Sequence, residues 1–445
     1  MKRDLEADLL QWKNQKRHMP LLLRGARQVG KTYLVEKFGK DEFENHITLN
    51  FEQNPEYRNC FQTLDPVKIV GAIELVTGSS IQPGNTLLFL DEIQECPEAI
   101  MALRYFKEQM PELHIIGAGS LLEFALNDSD FRMPVGRIQF MYLRPLSFGE
   151  YLGASGNSKL RNYLHALHIG EDIEPVVHQH LLSLVREYLA LGGMPAVIYE
   201  YLESKSLLQC QNIQTAVLTT YRQDFGKYAK RTPYTHLQTI FSKAPGLVGQ
   251  WLKYSNLDPD VSPATLRNAL YKLCDAGLII LVYATSAAGL PFIAHVNEKK
   301  CKFLFLDVGL VKRACQLDLE LIFKEDLFLI NDGALAEQFV GQELIAYGGS
   351  REANILFSWV REEKSSSAEI DYLVSVNSWI VPIEVKSRAI GSLRSLQIFL
   401  SEKKILYGVR ISEAPFSLNK NILSVPFYLI EELPRLVREV YSSTT

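Results

Sequence analysis

The sequence predicts an α/β chain built on a parallel sheet, with further α/β structure towards its C-terminal end. Three observations carry this. Residues 1–150 alternate short apolar runs with amphipathic helical patterns, the signature of a parallel sheet covered by helices on both faces. A glycine-rich loop, G-A-R-Q-V-G-K-T at residues 25–32, stands between an apolar run and a helical pattern. A later apolar run, Leu87-Leu88-Phe89-Leu90, ends in Asp91 and Glu92. A strand buried on both faces is near-continuously hydrophobic and presents ligand-binding groups at its carboxyl end.

Taken in order, strands are expected at residues 21–23, 47–51, 86–90 and 113–116, with helices between them. Residues 160–242 read as mostly helical, and the helix over 180–191 is halted by Gly192-Gly193-Met194-Pro195. Ser262-Pro263 supplies an N-cap followed by proline at the first helical position. That helix runs through Leu266, Leu270 and Leu273 and stops at Ala276-Gly277. Strands at 278–283 and 301–306 follow. Helix, helix, then hairpin is the order of a winged-helix module. Beyond it lie a helix at 334–346, several strands and a Glu-Lys-Ser-rich loop at 362–367. The expected division is a nucleotide-binding domain at 1–155, a helical lid or connector at 156–240, a winged helix at 241–325 and a C-terminal domain at 326–445.

Length and composition agree with this division. A chain of 445 residues has room for two to four domains. Net charge is −4, too balanced to announce a nucleic-acid or membrane partner through bulk electrostatics, although local basic clusters can still bind a polyanion. Six scattered cysteines form no C-x-x-C pair, which argues against a zinc site or a disulfide framework. Acids interrupt the first residues, so no signal peptide is read there, and no run approaches the ~18–20 apolar residues that span a bilayer. A cytoplasmic protein without a membrane partner is expected.

Residues 25–32 match G-x-x-x-x-G-K-[ST] in full. Gly25 and Gly30 let the backbone through Ala26, Arg27, Gln28 and Val29 curl so that its N–H groups point at a β-phosphate. Lys31 reaches the β- and γ-phosphates, and Thr32 offers its hydroxyl to Mg²⁺. The helix that begins at Tyr33 turns its N-terminus to the anion. Asp91 is the second magnesium partner and Glu92 the group that orients and polarises the attacking water. MgATP is therefore the expected cofactor. Ser120, after the strand ending Ile115-Ile116, is either a γ-phosphate sensor or a turn serine. Arg137 is a candidate arginine finger, in cis or in trans, with a structural arginine as the alternative; Arg27 is no better supported.

These residues resemble the bacterial and archaeal AAA-type ATPases whose C-terminal region is a domain of unknown function. Further segments carry the likeness over nearly the whole chain: R-P-L-S-F-G-E-Y at 144–151, G-G-M-P at 192–195, Y-R-Q-D at 221–224 and F-L-D-V-G-L at 305–310. The resemblance implies an AAA-like P-loop core, a winged-helix segment and a C-terminal domain similar to the restriction-endonuclease, PD-(D/E)xK fold.

Near the C-terminus, residues 368–376 and 379–386 read as two strands joined by Asn377-Ser378. A two-residue hairpin pairs Val376 with Trp379 and sets Asp371 opposite Glu384, with Lys386 on the same face. Two opposed carboxylates need a positive charge between them. A second Mg²⁺ or Mn²⁺ would supply it, with Glu337, or else Glu343, completing the site; this resembles the E…D…E-x-K set of the nuclease fold. E-x-K is a weak motif, Pro382 suggests an edge or irregular strand, and such domains also serve as inert binding platforms. Arg267, Asn268 and Lys272 on the preceding helix, with Lys299, Lys300 and Lys302 on the hairpin, form a candidate DNA-binding surface, the fold being equally common as a protein-binding module. Two readings result. One is a MgATP-hydrolysing ATPase coupled to a nuclease-like domain acting on nucleic acid. The other is a signalling or scaffold ATPase whose nucleotide state controls a protein partner. A toxin-like or defence role and a homo-oligomer stay open.

Overall fold

The computed structural model describes residues 1–120, 122, 136–228, 233–317, 333–361, 368–387 and 391–443. They fold as two compact units: residues 1–144 with 275–277 and 349–353, and the remainder of the chain.

In the N-terminal unit the strands are β1 (Leu21–Arg24), β2 (Asn45–Asn50), β3 (Thr86–Asp91), β4 (His114–Ala118) and β5 (Gln139–Tyr142). They form one parallel sheet in the order β2-β3-β4-β1-β5. The helices are α1 (Leu5–Lys13), α2 (Lys31–Glu42), α3 (Pro66–Thr77) and α4 (Pro97–Gln109). β3 and β4 are buried along their whole length, which is why Leu87–Leu90 of β3 reads as an unbroken apolar run. Ile47, Leu49, Leu88, Leu90 and Ile115 pack with Ile69 and Ile73 of α3 and Ile100, Leu103 and Phe106 of α4. Truncating any one of these to alanine costs about 2–5 kcal/mol. β5 escaped the sequence reading because it is short and only half-buried at an edge. β4 separates β1 from β3, so the loop after β1 and the acids after β3 flank the carboxyl end of β4.

The C-terminal unit is built on an eight-stranded mixed sheet, in the order β12-β13-β11-β10-β9-β8-β6-β7. Its strands are β6 (Ile279–Thr285), β7 (Val296–Phe305), β8 (Leu356–Val360), β9 (Glu369–Val376), β10 (Trp379–Val385), β11 (Gly408–Ser412), β12 (Ser417–Asn419) and β13 (Ile422–Pro426). The helices are α5 (Phe148–Ala154), α6 (Ser158–His165), α7 (Pro175–Leu191), α8 (Pro195–Ser204), α9 (Leu207–Tyr228), α10 (Tyr234–Lys243), α11 (Tyr254–Leu257), α12 (Pro263–Asp275), α13 (Val308–Ala314), α14 (Ala334–Tyr347), α15 (Arg394–Lys403) and α16 (Leu433–Ser442).

The helix expected from Ser262-Pro263 is α12, and Ser262 Oγ accepts from the Thr265 amide at 3.2 Å. The hairpin expected as its wing does not stand alone. β6 pairs in parallel with β8, Val282 beside Leu356, so β6 and β7 extend the sheet that also holds the E-x-K strand. The β9–β10 register is the one that a two-residue loop imposes, with Val376 facing Trp379 and Tyr372 facing Ile383. β10 is nevertheless interior, between β9 and β11, where Pro382 had suggested an edge. The proline is tolerated because the ladder with β11 begins one residue later, at Ile383. The Glu-Lys-Ser-rich loop at 362–367 lies outside the described residues.

Several segments that carried the family likeness prove to be structural joints. Ser147 and Glu150 form a reciprocal capping box at the start of α5. Asp307, fully buried, accepts from the Gly193 amide at 2.5 Å and from the Leu310 amide at 3.1 Å, so G-G-M-P and F-L-D-V-G-L meet at one carboxylate. Among the described residues no single helix is long and apolar enough to cross a membrane; α7 and α8 pass that test only as a pair bent by 118°.

Candidate functional site

The loop between β1 and α2 curls as the motif requires. Gln28 and Gly30 take positive φ, 66° and 95°, in the alternation that turns successive amides to one side. Gly25 has φ 144°, and a Cβ there would lie 2.1 Å from the Leu143 carbonyl oxygen, so only glycine fits. Ala26 and Val29 are buried beneath the loop, whereas Tyr33 is exposed on α2. Lys31 is buried, and its Nζ donates to the carbonyls of Gly25 at 2.8 Å and Ala26 at 2.9 Å. Burial pushes this ammonium down to about 8, against the attraction of Glu92 and Asp91. A bound triphosphate would relieve that burden by supplying the missing counter-charge.

Thr32 Oγ1 donates to Asp91, at 3.1 Å to Oδ2 and 3.3 Å to Oδ1. Asn50, at the end of β2, donates to the same Oδ2 at 2.9 Å. Burial, and then the neighbouring Glu92, raises the Asp91 carboxyl above its ordinary value; the Thr32 and Asn50 hydrogen bonds oppose this. A hydroxyl and a carboxylate side by side are hard oxygen donors of the kind that hold Mg²⁺, which keeps several of its waters. The donor set fits the ion.

Glu92 sits in the left-handed region, φ 50°, immediately after β3. Its Oε2 accepts from Gln94 Nε2 at 2.7 Å and from the Ser120 amide at 3.5 Å. The structure thus brings Lys31, Thr32, Asp91, Glu92 and Ser120 together at the carboxyl edge of β1, β3 and β4. Arg27 instead faces Glu52, its Nη2 3.7 Å from Oε2. Arg137 is not part of this edge. It precedes β5, whose Gln139 pairs with Leu21 at the opposite end of β1, and its Nε donates to Glu108 at 3.2 Å. A finger role in cis is therefore ruled out by the sheet's polarity.

Asn50, Gln94 and Arg3 escaped the sequence reading. Arg3, buried, donates from Nη1 to the Val29 carbonyl at 3.1 Å and from Nη2 to the Arg144 carbonyl at 2.7 Å. Asn50 acts only because β2 pairs with β3, a neighbour relation the sequence does not state, and Arg3 carried no signal either.

Residues 17–152 match the family model of an AAA domain. The N-terminal unit carries an AAA-type, ATP-binding P-loop domain. Residues 182–320 and 332–430 each match a domain of unknown function, DUF8612 and DUF4143. No curated protein matches the chain. Solved structures similar to the chain with its AAA domain include the Walker-type ATPase of Pyrococcus abyssi, at 15% identity over 71% of this chain and 95% of that one, TM-score 0.44. The ORC2 protein of Aeropyrum pernix follows at 15% identity over 70% and 92%, TM-score 0.36. The ORC1 protein of the same organism, solved with DNA, gives 13% identity over 72% and 93%, TM-score 0.29. Likenesses this distant say nothing about ligand or partner.

In the C-terminal unit, Glu337 of α14, Asp371 of β9 and Glu384 of β10 are gathered on one side of the sheet, but the positive charge among them is a lysine. Lys302 of β7 had been expected on a basic wing; it is buried instead. Its Nζ contacts Glu369 Oε1 and lies 3.4 Å from Glu337 Oε2 and 3.9 Å from Asp371 Oδ1. Burial alone would lower the pKa of this ammonium, but Glu337, Asp371 and Glu369 outweigh it and hold it above the ordinary lysine value. Asp371 also accepts from the Val385 amide at 2.8 Å. Burial and then Glu337 drive its carboxyl well above the usual range, and burial raises Glu337 likewise. Lys386 Nζ lies 2.7 Å from Glu384 Oε1. Glu343, the second choice for this cluster, points elsewhere: its Oε2 accepts from the Phe148 amide at 3.0 Å, and burial pushes it up to about 8. Among the described residues no group of three or more His, Cys, Asp or Glu side chains is arranged to hold a metal ion.

Proposed function

We propose that the chain is a MgATP-hydrolysing ATPase whose nucleotide state drives its C-terminal unit. The observation that carries this is the convergence of Lys31, Thr32, Asp91 and Glu92 at one sheet edge, with Thr32 Oγ1 3.1 Å from Asp91 Oδ2. Lys31 binds the β- and γ-phosphates from within the loop. Thr32 and Asp91 would hold Mg²⁺, which when bound neutralises charge on the phosphates. Glu92 orients a water and takes its proton, and Gln94 and the Ser120 amide fix that carboxylate.

For what the ATPase drives, Lys302 among the acids favours partner binding by the C-terminal unit over nucleic-acid cleavage within it. ATP turnover of wild type, Lys31→Ala and Glu92→Gln, with and without DNA, tests both parts. Lys31→Ala is expected to lose nucleotide binding; Glu92→Gln is expected to bind ATP and turn over at least ~100-fold more slowly. Undiminished turnover in both variants would sink the ATPase reading. Stimulation by DNA identifies nucleic acid as the partner, and its absence points to a protein.

A further inference from the structure

Four carboxylates and two ammoniums meet on one side of the C-terminal sheet. Glu384 is paired with Lys386, and Glu337, Glu369 and Asp371 surround Lys302. The cage around Lys302 is closed by Trp251, whose Nε1 donates to Glu369 Oε2 at 2.9 Å and whose ring lies 5.3 Å from the ammonium. The backbone supports this placement, since Trp251 bridges to Lys302 and the Leu252 amide donates to the Cys301 carbonyl at 2.8 Å. Gly249 approaches Glu337 so closely that a Cβ would come 3.1 Å from its Oε2. Lys302 is thus not a mobile surface side chain that happens to touch an acid. It is delivered by β7, the edge strand of the same sheet, and locked by an indole and three carboxylates.

We propose that the Lys302 ammonium, set against Glu337 and Asp371 of the nuclease-like residue set, takes the place of a divalent cation there, so that these acids are neutralised from within and a metal site appears only when Lys302 is removed. The three carboxylates around it do not fit a divalent ion while it is there; Glu384 is held by Lys386 through Oε1, and its buried Oε2 has no hydrogen-bond partner. Glu369 and Glu337 already spend an oxygen each on the ammonium, and Asp371 divides its oxygens between the Val385 amide and the lysine side. An Mg²⁺ or Mn²⁺ at a carboxylate distance of about 2.1 Å would stand against a resident positive charge only a few ångströms away. Removing the lysine alone leaves partly buried, mutually repelling acids, whereas removing Glu337 and Asp371 as charges with it relieves that repulsion.

The test uses the full chain without nucleotide, with Mn²⁺ and Tb³⁺ as probes, since Trp251 is close enough to sensitise Tb³⁺ emission. Wild type is expected to show neither saturable Tb³⁺ emission under tryptophan excitation nor a change in melting temperature with millimolar Mn²⁺. Lys302→Met is expected to melt lower, to recover with Mn²⁺, and to gain Tb³⁺ emission that Asp371→Asn removes. Saturable binding by wild type that Asp371→Asn abolishes overturns the proposal, as does a stable Lys302→Met that binds no metal. Should Lys302→Met fail to fold, the variant that also carries Glu337→Gln and Asp371→Asn decides. Recovery of folding without metal supports a role in charge neutralisation. Failure to recover means that Lys302 acts through packing, which overturns it.

Discussion

Gln94 donates to the Glu92 carboxylate, and it has room to do so because residue 119 is glycine: a Cβ there would lie 1.9 Å from Gln94 Oε1. That Oε1 is buried without a hydrogen-bond partner, so the side chain is kept in place by what its Nε2 does for Glu92, at 2.7 Å. A glutamate in the left-handed region has little intrinsic preference for one carboxylate direction, and a donated hydrogen bond sets it. Gln94→Leu fills the same space without the donor. It is expected to lower kcat for ATP about tenfold, the rate equivalent of roughly 1.5 kcal/mol for a hydrogen bond to a charged group. KM should stay within about twofold, because the phosphate loop is untouched. Steady-state kinetics at saturating ATP check this, and an unchanged kcat would mean that Glu92 orients itself.

At the scale of the elements, the first residues of the chain belong to the nucleotide site. Arg3 precedes α1 and ties it to the Val29 carbonyl inside the phosphate loop and to the Arg144 carbonyl beyond β5. Arg3→Ala leaves two inward-facing carbonyls without their charged donor, at about 1–3 kcal/mol each. The expected result is a lower melting temperature and a severalfold weaker ATP affinity in titration, with Arg3→Lys recovering one contact and part of each loss. Unchanged affinity would separate α1 from the site. This element also marks what could be read beforehand. The phosphate loop was legible because its eight residues act as neighbours in sequence, and Asp91 and Glu92 because an apolar run stops at them. Asn50, Gln94 and Arg3 were not, since each depends on which strand or loop lies alongside. Lys302 shows the same limit in the other direction. The sequence grouped it with Lys299 and Lys300 on a basic hairpin, but the pairing of β6 with β8 brings it against Glu337 and Glu369.

At the scale of the molecule, two compact units with separate sheets should unfold in separable steps, with MgATP raising first the transition of the unit that binds it. At 100 times its Kd, MgATP adds ~2.7 kcal/mol to the unit that binds it, a rise of roughly 5–10 °C for a domain of this size. Acid acts on the same unit through His18 and His114, whose rings stack at 3.8 Å with Trp12 and Phe43 against their edges. His114 Nε2 is within 3.1 Å of the Lys13 carbonyl, and its buried Nδ1 has no donor, the arrangement of a neutral ring. Burial, and then His18 alongside, hold His114 down to about 4, and burial lowers His18 as well. Between the ordinary value of 6.5 and about 4 the unfolded chain takes up a proton that the folded ring refuses. The stability this provides is complete above 6.5 and is lost as pH falls through that window. Calorimetry from pH 7 down to about 4.5 should therefore show the ATP-sensitive transition sliding to lower temperature. His114→Phe keeps the aromatic packing and removes the more strongly depressed of the two rings, so its transition should slide less over the same range. If wild type and His114→Phe slide together, the stacked pair is not the acid-sensitive element.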